Sequence, residues 1–219
     1  MVRLMTGEAN SSATVTARDL AARRGDRLVF EGLNLSAGPG EAITVTGPNG
    51  SGKSTLLRII VGLLPSFKGT CQISPNSPGT ACFAGHLDGL KSSLTVDENL
   101  TFWAGLYGGA RVAVDAAIDR LALNSVADMP ADMLSAGWRR RAGLARLLIS
   151  RSPLWVLDEP FTALDSENVA RLDSVLEDHC AGGGIVILAT HQTSSFSAQH
   201  SLDMRSYTPA APLIAEAAW

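Results

Sequence analysis

The stretch Gly47-Pro48-Asn49-Gly50-Ser51-Gly52-Lys53-Ser54-Thr55 decides the fold of this chain. It fits G-x-x-x-x-G-K-[ST], a loop whose backbone N–H groups converge on phosphate oxygens. The apolar run Glu41–Thr46 before it reads as a strand, and Leu56–Val61 after it reads as a helix. A chance glycine-rich turn would not need that context. The glycines let the backbone turn tightly, and the positive end of the following helix helps to hold an anion. Lys53 is expected to reach the β- and γ-phosphates of a nucleoside triphosphate, and the Ser54 hydroxyl to sit on Mg²⁺. Every residue from Gly47 to Thr55, including Pro48, Asn49, Gly50, Ser51 and Gly52, is therefore an expected nucleotide contact.

A second run, Leu154-Trp155-Val156-Leu157-Asp158-Glu159-Pro160, ends four apolar residues in two acids. Continuous apolar runs of this kind, with Ile185–Leu188, fit strands buried on both faces of a parallel sheet. Such a strand would carry Asp158 to its carboxyl end, beside the phosphate loop. Asp158 is then expected to hold Mg²⁺, directly or through water, and Glu159 to polarise the water that attacks the γ-phosphorus. Without the upstream loop, a solvated acidic turn would be the better reading.

Composition narrows the class. The 219 residues are 46% apolar and 18% charged, with mean hydropathy +0.14, which suits one large α/β domain. The net charge of −3 offers no basic footprint for nucleic acid. No apolar run approaches the roughly 20 residues that cross a bilayer, and the first residues lack the apolar core of a signal peptide. Cys71, Cys82 and Cys180 are odd in number and widely spaced. They read as reduced thiols in or near the core, with neither a disulfide framework nor a metal site.

Along the chain, Val15–Leu20 and Arg27–Phe30 read as strands joined at Arg24-Gly25-Asp26, with a further strand at Leu33–Ser36. Residues 65–80 read as loop with a short strand. Helical patterns cover Val96–Tyr107, Val112–Leu121 and Ser135–Ile149, and another helix spans Ser166–Cys180. The expected architecture is a parallel α/β core interrupted by a helical insertion over about residues 85–151. Residues 1–13 and 206–219 are expected tails around a single domain at 14–205. Trp138-Arg139-Arg140-Arg141, Arg146 and Arg151 read as a solvated helix face rather than a nucleic-acid site. Phe102, Trp103, Leu106 and Tyr107 form an apolar cluster at helical spacing, read by default as core. His179 and His200 have no motif context and read as surface residues.

Leu134-Ser135-Ala136-Gly137-Trp138 resembles the L-S-G-G-Q signature of ABC (ATP-binding cassette) ATPases. The motif order also matches: phosphate loop, signature, acidic strand, Thr162–Asp165 as the D-loop, then Thr190-His191 as the switch histidine. The resemblance implies a P-loop NTPase fold with an N-terminal antiparallel β subdomain and an inserted α-helical subdomain. It implies two ATPs held in a head-to-tail homodimer, with Ser135, Ala136, Gly137 and Trp138 facing the partner's ATP. It also places His191 on the γ-phosphate, Asp165 in the D-loop, His86 at the Q-loop position, Arg24 where an aromatic residue usually stacks on adenine, and part of the Phe102–Tyr107 cluster at the groove for a membrane partner. A guanidinium can also stack on the base, and an imidazole can accept from a Mg²⁺-bound water, though it titrates near neutral pH. Ala136 for glycine suits a helical φ, whereas Trp138 cannot reproduce the polar contacts of Gln. An inactive, ATP-binding subunit would fit Trp138 and His86 but not the intact Lys53, Asp158, Glu159 and His191.

Several strings are similar to the haem-exporter ATP-binding subunits of cytochrome c maturation, the CcmA family: Gly85-His86, Leu90-Lys91, Thr95–Leu100, Leu134–Gly137, Asp158–Asp165 and Gly184–Gln192. That resemblance implies a peripheral protein on the cytoplasmic face of the bacterial inner membrane. It further implies a separate integral membrane permease subunit and an indirect link to a periplasmic haem chaperone. Two alternatives share the motifs: an ABC exporter ATPase for another substrate, and a non-transport ABC ATPase that acts as an assembly factor.

Overall fold

The strands ending at the acidic pair and at the switch histidine are buried along their whole length, and everything else is layered around them. In the computed structural model, which describes residues 13–192 and 194–209, β6 (Leu154–Asp158) and β7 (Ile185–Ala189) are buried at every position. They lie side by side in parallel register, Leu154 opposite Ile185 and Asp158 opposite Ala189. β5 (Ala81–Ala84) flanks β6. On the other side β7 pairs with β3 (Ala42–Thr46), which pairs with β8 (His200–Asp203). The result is a five-stranded parallel sheet in the order β5-β6-β7-β3-β8.

Because successive side chains alternate between faces, each strand feeds two cores. Leu154, Val156, Ile185 and Ile187 join α1 (Lys53–Ile60) and an antiparallel sheet. Trp155, Leu157, Val186 and Leu188 join the helices on the opposite face. The antiparallel sheet has the order β2-β1-β4, formed by β1 (Thr14–Arg24), β2 (Arg27–Ala37) and β4 (Lys68–Ser74). The helical layer contains α2 (Val96–Leu106), α3 (Arg111–Arg120), α4 (Ala136–Ser150) and α5 (Ser166–Ala181). Local sequence sets their starts. Thr95 and Glu98 form a reciprocal capping box on α2, and Ser135 and Asp165 cap α4 and α5.

The expected tails fall mostly outside the described residues. Of residues 1–13 only Ala13 is described, and it is buried. Of residues 206–219, those at 206–209 are described. There a short 3₁₀ turn, Met204–Tyr207, packs Met204 into the core. The run at Leu33–Ser36 is the far half of β2 rather than a separate strand. β5 and β8, four residues each, had no signal of their own.

Two readings need correction. Arg140, Arg141 and Arg146 are not on a solvated face: they are 7%, 9% and 8% exposed. Helix α4 runs through the middle of the helical layer, and its long side chains bury their stems while their guanidiniums meet carbonyls or rings. Arg141 donates to the carbonyls of Leu121 and Ala122, both at 3.3 Å, and lies 3.7 Å from the Trp138 ring centre. Arg146 sits over Trp103. In the aromatic cluster, Phe102 and Leu106 are exposed, while Trp103 and Tyr107 are half-buried and stacked.

His179 is the second. It is half-buried, its ring stacked on Trp155 with centroids 3.7 Å apart. Burial pushes its pKa down to about 4. The unfolded chain takes up this proton near pH 6.5, whereas the folded chain resists it until about pH 4. Stability is therefore lost as pH falls through that window, by roughly 3 kcal/mol at most. Urea unfolding at pH 7, 5.5 and 4 should show the gap between wild type and His179→Phe shifting toward the variant as pH falls. A gap constant with pH would contradict a neutral, buried His179.

Candidate nucleotide site

The phosphate loop spans the turn between β3 and α1, and its shape depends on Gly52. This residue has φ of 100°, and a Cβ there would lie 2.7 Å from Val29 Cγ1 and 2.9 Å from Phe30 Cδ1. Only glycine lets the loop press against β2 while turning into α1. Lys53, the first residue of α1, is nearly buried and folds back over the loop. Its Nζ donates to the carbonyls of Gly47 at 2.8 Å and Pro48 at 3.2 Å, and lies 2.7 Å from His191 Nε2. A charged Lys53 makes that ring nitrogen the acceptor, which places the imidazole proton on Nδ1. Burial pushes the Lys53 pKa down, and the nearby Glu159 and Asp158 carboxylates oppose the shift.

The acidic pair arrives at the same place from β6. Asp158 is 1% exposed, and neither carboxylate oxygen has a hydrogen-bond partner among the described residues. His86 Nε2 stands 3.5 Å from Asp158 Oδ2, within ion-pair reach when the ring is protonated. Glu159 adopts φ of 51°, a left-handed conformation that costs a non-glycine residue about 1–3 kcal/mol. That turn aims its carboxylate across to the end of β7. Glu159 Oε2 accepts from the His191 backbone N–H at 3.2 Å, and Oε1 lies 3.6 Å from His191 Nε2.

Lys53, Asp158 and Glu159 line one cleft of about 420 Å³ with Arg24, Arg27, Val29, Asn49, Gly50, Gly52, Ser54, Thr55 and His86, and His191 meets Lys53 and Glu159 from beside it. Arg27 and Val29 escaped the sequence reading. Arg27 pairs directly with Arg24 across the β1–β2 hairpin, so the turn at Gly25-Asp26 was the signal that could have found it. An orphaned buried carboxylate facing Ser54 and the phosphate loop across one cleft is a fitting donor set for a hard divalent cation such as Mg²⁺.

The other motif residues lie elsewhere on the chain. Ser135, Ala136, Gly137 and Trp138 do not line the cleft. Ser135 caps α4, accepting from the Trp138 backbone N–H at 3.4 Å, and Ala136 opens the helix without strain. Asp165 caps α5 through the Asn168 backbone and side chain, and those hydrogen bonds hold its carboxyl below the usual range. A second cavity, about 560 Å³, is lined by Trp155, His179 and Arg151 and by none of the expected nucleotide-site residues.

A phosphate loop and an acidic strand end meeting under a histidine define a nucleoside triphosphatase site. Comparison with known proteins makes the class specific. The family model for ABC transporters matches residues 30–162. The chain is 45% identical over 181 residues to the cytochrome c biogenesis ATP-binding export protein CcmA of Mesorhizobium japonicum, covering 80% of this chain and 90% of that one. It is 43% identical over 215 residues to the protein of the same name from Paramagnetospirillum magneticum, covering 93% and 99%. Among solved structures, an ABC transporter ATP-binding protein from Pyrococcus furiosus superposes with a TM-score of 0.78 at 25% identity, over 90% of this chain and 100% of that one. A bacterial Atm1-family ABC exporter with ATP bound shares the fold, with a TM-score of 0.77 at 22% identity over 88% of this chain and 38% of that one. The chain belongs to the ABC transporter ATPases and, within them, to the CcmA family. It is an ATP-binding, ATP-hydrolysing subunit.

Lys53→Ala removes a charged donor from the loop. Such a contact is worth about 1.5–3 kcal/mol, or roughly ten- to a hundredfold in affinity. Titration with a fluorescent ATP analogue should show that loss with the fold intact by circular dichroism. Unchanged affinity would contradict the placement of phosphate at this loop.

Proposed function

We propose that this protein is the ATPase of a haem-export complex in cytochrome c biogenesis, acting on a separate integral membrane permease subunit from the cytoplasmic face of the inner membrane. Identity above 40% along most of the chain to proteins named for cytochrome c biogenesis export supports the assignment. The site supports the chemistry, and one observation carries it: His191 is held between the other two groups, its ring nitrogen 2.7 Å from Lys53 Nζ and its backbone N–H donating to Glu159.

The phosphates of ATP lie in the Gly47–Thr55 loop, with Arg24 against the base. Lys53 turns its ammonium to a γ-phosphate oxygen and gives up its contact with His191. The freed imidazole of His191 orients the attacking water against the γ-phosphorus, while the Glu159 carboxylate polarises that water and receives its proton. His86 stands at the edge of the same cleft, next to Asp158. Mg²⁺ held by Ser54 and Asp158 would supply neutralising charge to the β- and γ-phosphates.

Ser135–Trp138 sit outside their own cleft, which favours a homodimer in which each signature helix meets the partner's ATP. The N-terminus of α4, capped by Ser135, suits that anion. ATP then favours the closed dimer through contacts that the open one lacks. Closure and reopening drive the permease and, through it, release of the haem-loaded periplasmic chaperone. No helix among the described residues is long and apolar enough to cross a membrane.

Glu159→Gln should bind ATP like wild type and lose turnover by about a hundredfold or more, measured as phosphate release. In the host, deletion of the gene should abolish haem staining of all c-type cytochromes, with rescue by wild type and not by Glu159→Gln. Normal c-type cytochromes in the deletion strain would leave an ABC ATPase serving another substrate.

A further inference from the structure

Arg140 is the most heavily engaged side chain outside the cleft. Its guanidinium is almost wholly buried, and all three nitrogens donate to oxygen. Nη2 reaches the carbonyls of Asp158 at 3.0 Å and Glu159 at 2.8 Å, and Nε reaches that of Pro160 at 3.2 Å. In the opposite direction Nη1 reaches the Gly85 carbonyl at 2.7 Å and Asp88 Oδ1 at 3.2 Å. Three segments therefore end on one side chain: α4, the backbone leaving β6, and the loop that presents His86.

The geometry explains why a cation is needed there. Glu159 turns left-handed at the end of β6, and Arg140 donates to the carbonyls of 158, 159 and 160, of which that of Glu159 also accepts from the Thr162 N–H at 3.3 Å. A planar guanidinium can serve two directions at once, whereas an ammonium is a single point donor. The same face of α4 holds the loop at two further places. At Gly143 the helix comes so close that a Cβ would lie 2.6 Å from the Cβ of Asp88. One turn on, Arg146 lies over Trp103, whose Nε1 donates to the Gly89 carbonyl at 3.0 Å.

We propose that Arg140 is a positioning residue for ATP hydrolysis, fixing the Glu159 backbone and the His86 loop to α4 so that the placement of the helical insertion sets the placement of the Glu159 carboxylate. It acts through Glu159 and His86, not on the nucleotide, and it rests on Glu159 being the group that polarises water. A partner that moves α4 or the 85–89 loop thereby moves Glu159 through charged hydrogen bonds rather than through adjustable apolar packing.

Kinetics on the full chain separate this role from a merely structural one. Arg140→Met should fold, bind ATP within about threefold of wild type and lower kcat about tenfold or more, and Arg140→Lys should recover only part of the loss. A folded Arg140→Met with kcat within about twofold of wild type overturns the proposal. So does a parallel fall of kcat and ATP affinity, since that is general damage to the cleft. Where Arg140→Met does not fold, Asp88→Asn decides: it weakens only the tie to the loop, and kcat should fall about threefold at unchanged ATP affinity. An unchanged kcat there overturns the proposal. Glu159→Gln measured alongside separates the two readings. Wild-type turnover in Glu159→Gln refutes the role of Glu159, whereas an inactive Glu159→Gln beside a fully active Arg140→Met refutes that of Arg140 alone.

Discussion

A carboxylate buried without a hydrogen-bond partner is costly, and this structure places one at its centre. Asp158 is shut away at the end of β6, with both oxygens unpartnered among the described residues. Removing such an ion from water carries a penalty of several kcal/mol unless charge is returned to it. The cations that could balance it all converge from other elements: Lys53 from α1, His86 from the loop after β5, and the divalent ion for which the carboxylate is suited. The sheet order is what makes this possible. With β6, β7 and β3 adjacent, the acidic pair, the histidine and the phosphate loop leave the carboxyl ends of neighbouring strands together. Ligands of open α/β sheets bind at that edge.

Much of this was legible from residue order alone. The phosphate loop, the acidic strand end and the two continuous apolar runs fix a parallel sheet with a nucleotide at its carboxyl edge, because each rests on local chemistry that tertiary context cannot easily override. β5 and β8 were invisible because four-residue strands at the flanks of a sheet carry too short a pattern to separate from loop. The arginines of α4 were misread for a different reason. A charge run says nothing about which helix face packs inward: Arg140 and Arg141 are buried where they donate to carbonyls of other segments, and Arg146 where it lies over Trp103. His179 was misread similarly: its ring is sheltered by Trp155, distant in sequence, and by the backbone of Gly184.

The same reasoning links the strained Glu159 to the helical insertion. Turning the backbone left-handed aims the Glu159 carboxylate at His191 and takes the carbonyls of 158–160 past the end of β6. The side chain that donates to all three belongs to α4 and also holds the His86 loop. The exposed apolar residues Leu87, Phe102, Leu106 and Met133 belong to that loop and to the helical insertion. A surface of this kind suits a permease contact, and it would feed directly into the site. The signature residues stay outside their own cleft, so a single chain supplies half of each closed ATP site in the proposed dimer.

The central claim is that the buried Asp158 carboxylate is balanced by a divalent cation when ATP is bound. The most direct test is thermal unfolding of wild type and Asp158→Asn in ATP, with EDTA or with Mg²⁺. Wild type should gain several degrees on adding Mg²⁺, since about 1 kcal/mol shifts a chain of this size by roughly 2–4 °C. Asp158→Asn should lose most of that gain while remaining folded in EDTA. An equal Mg²⁺-dependent gain in both proteins would contradict the account.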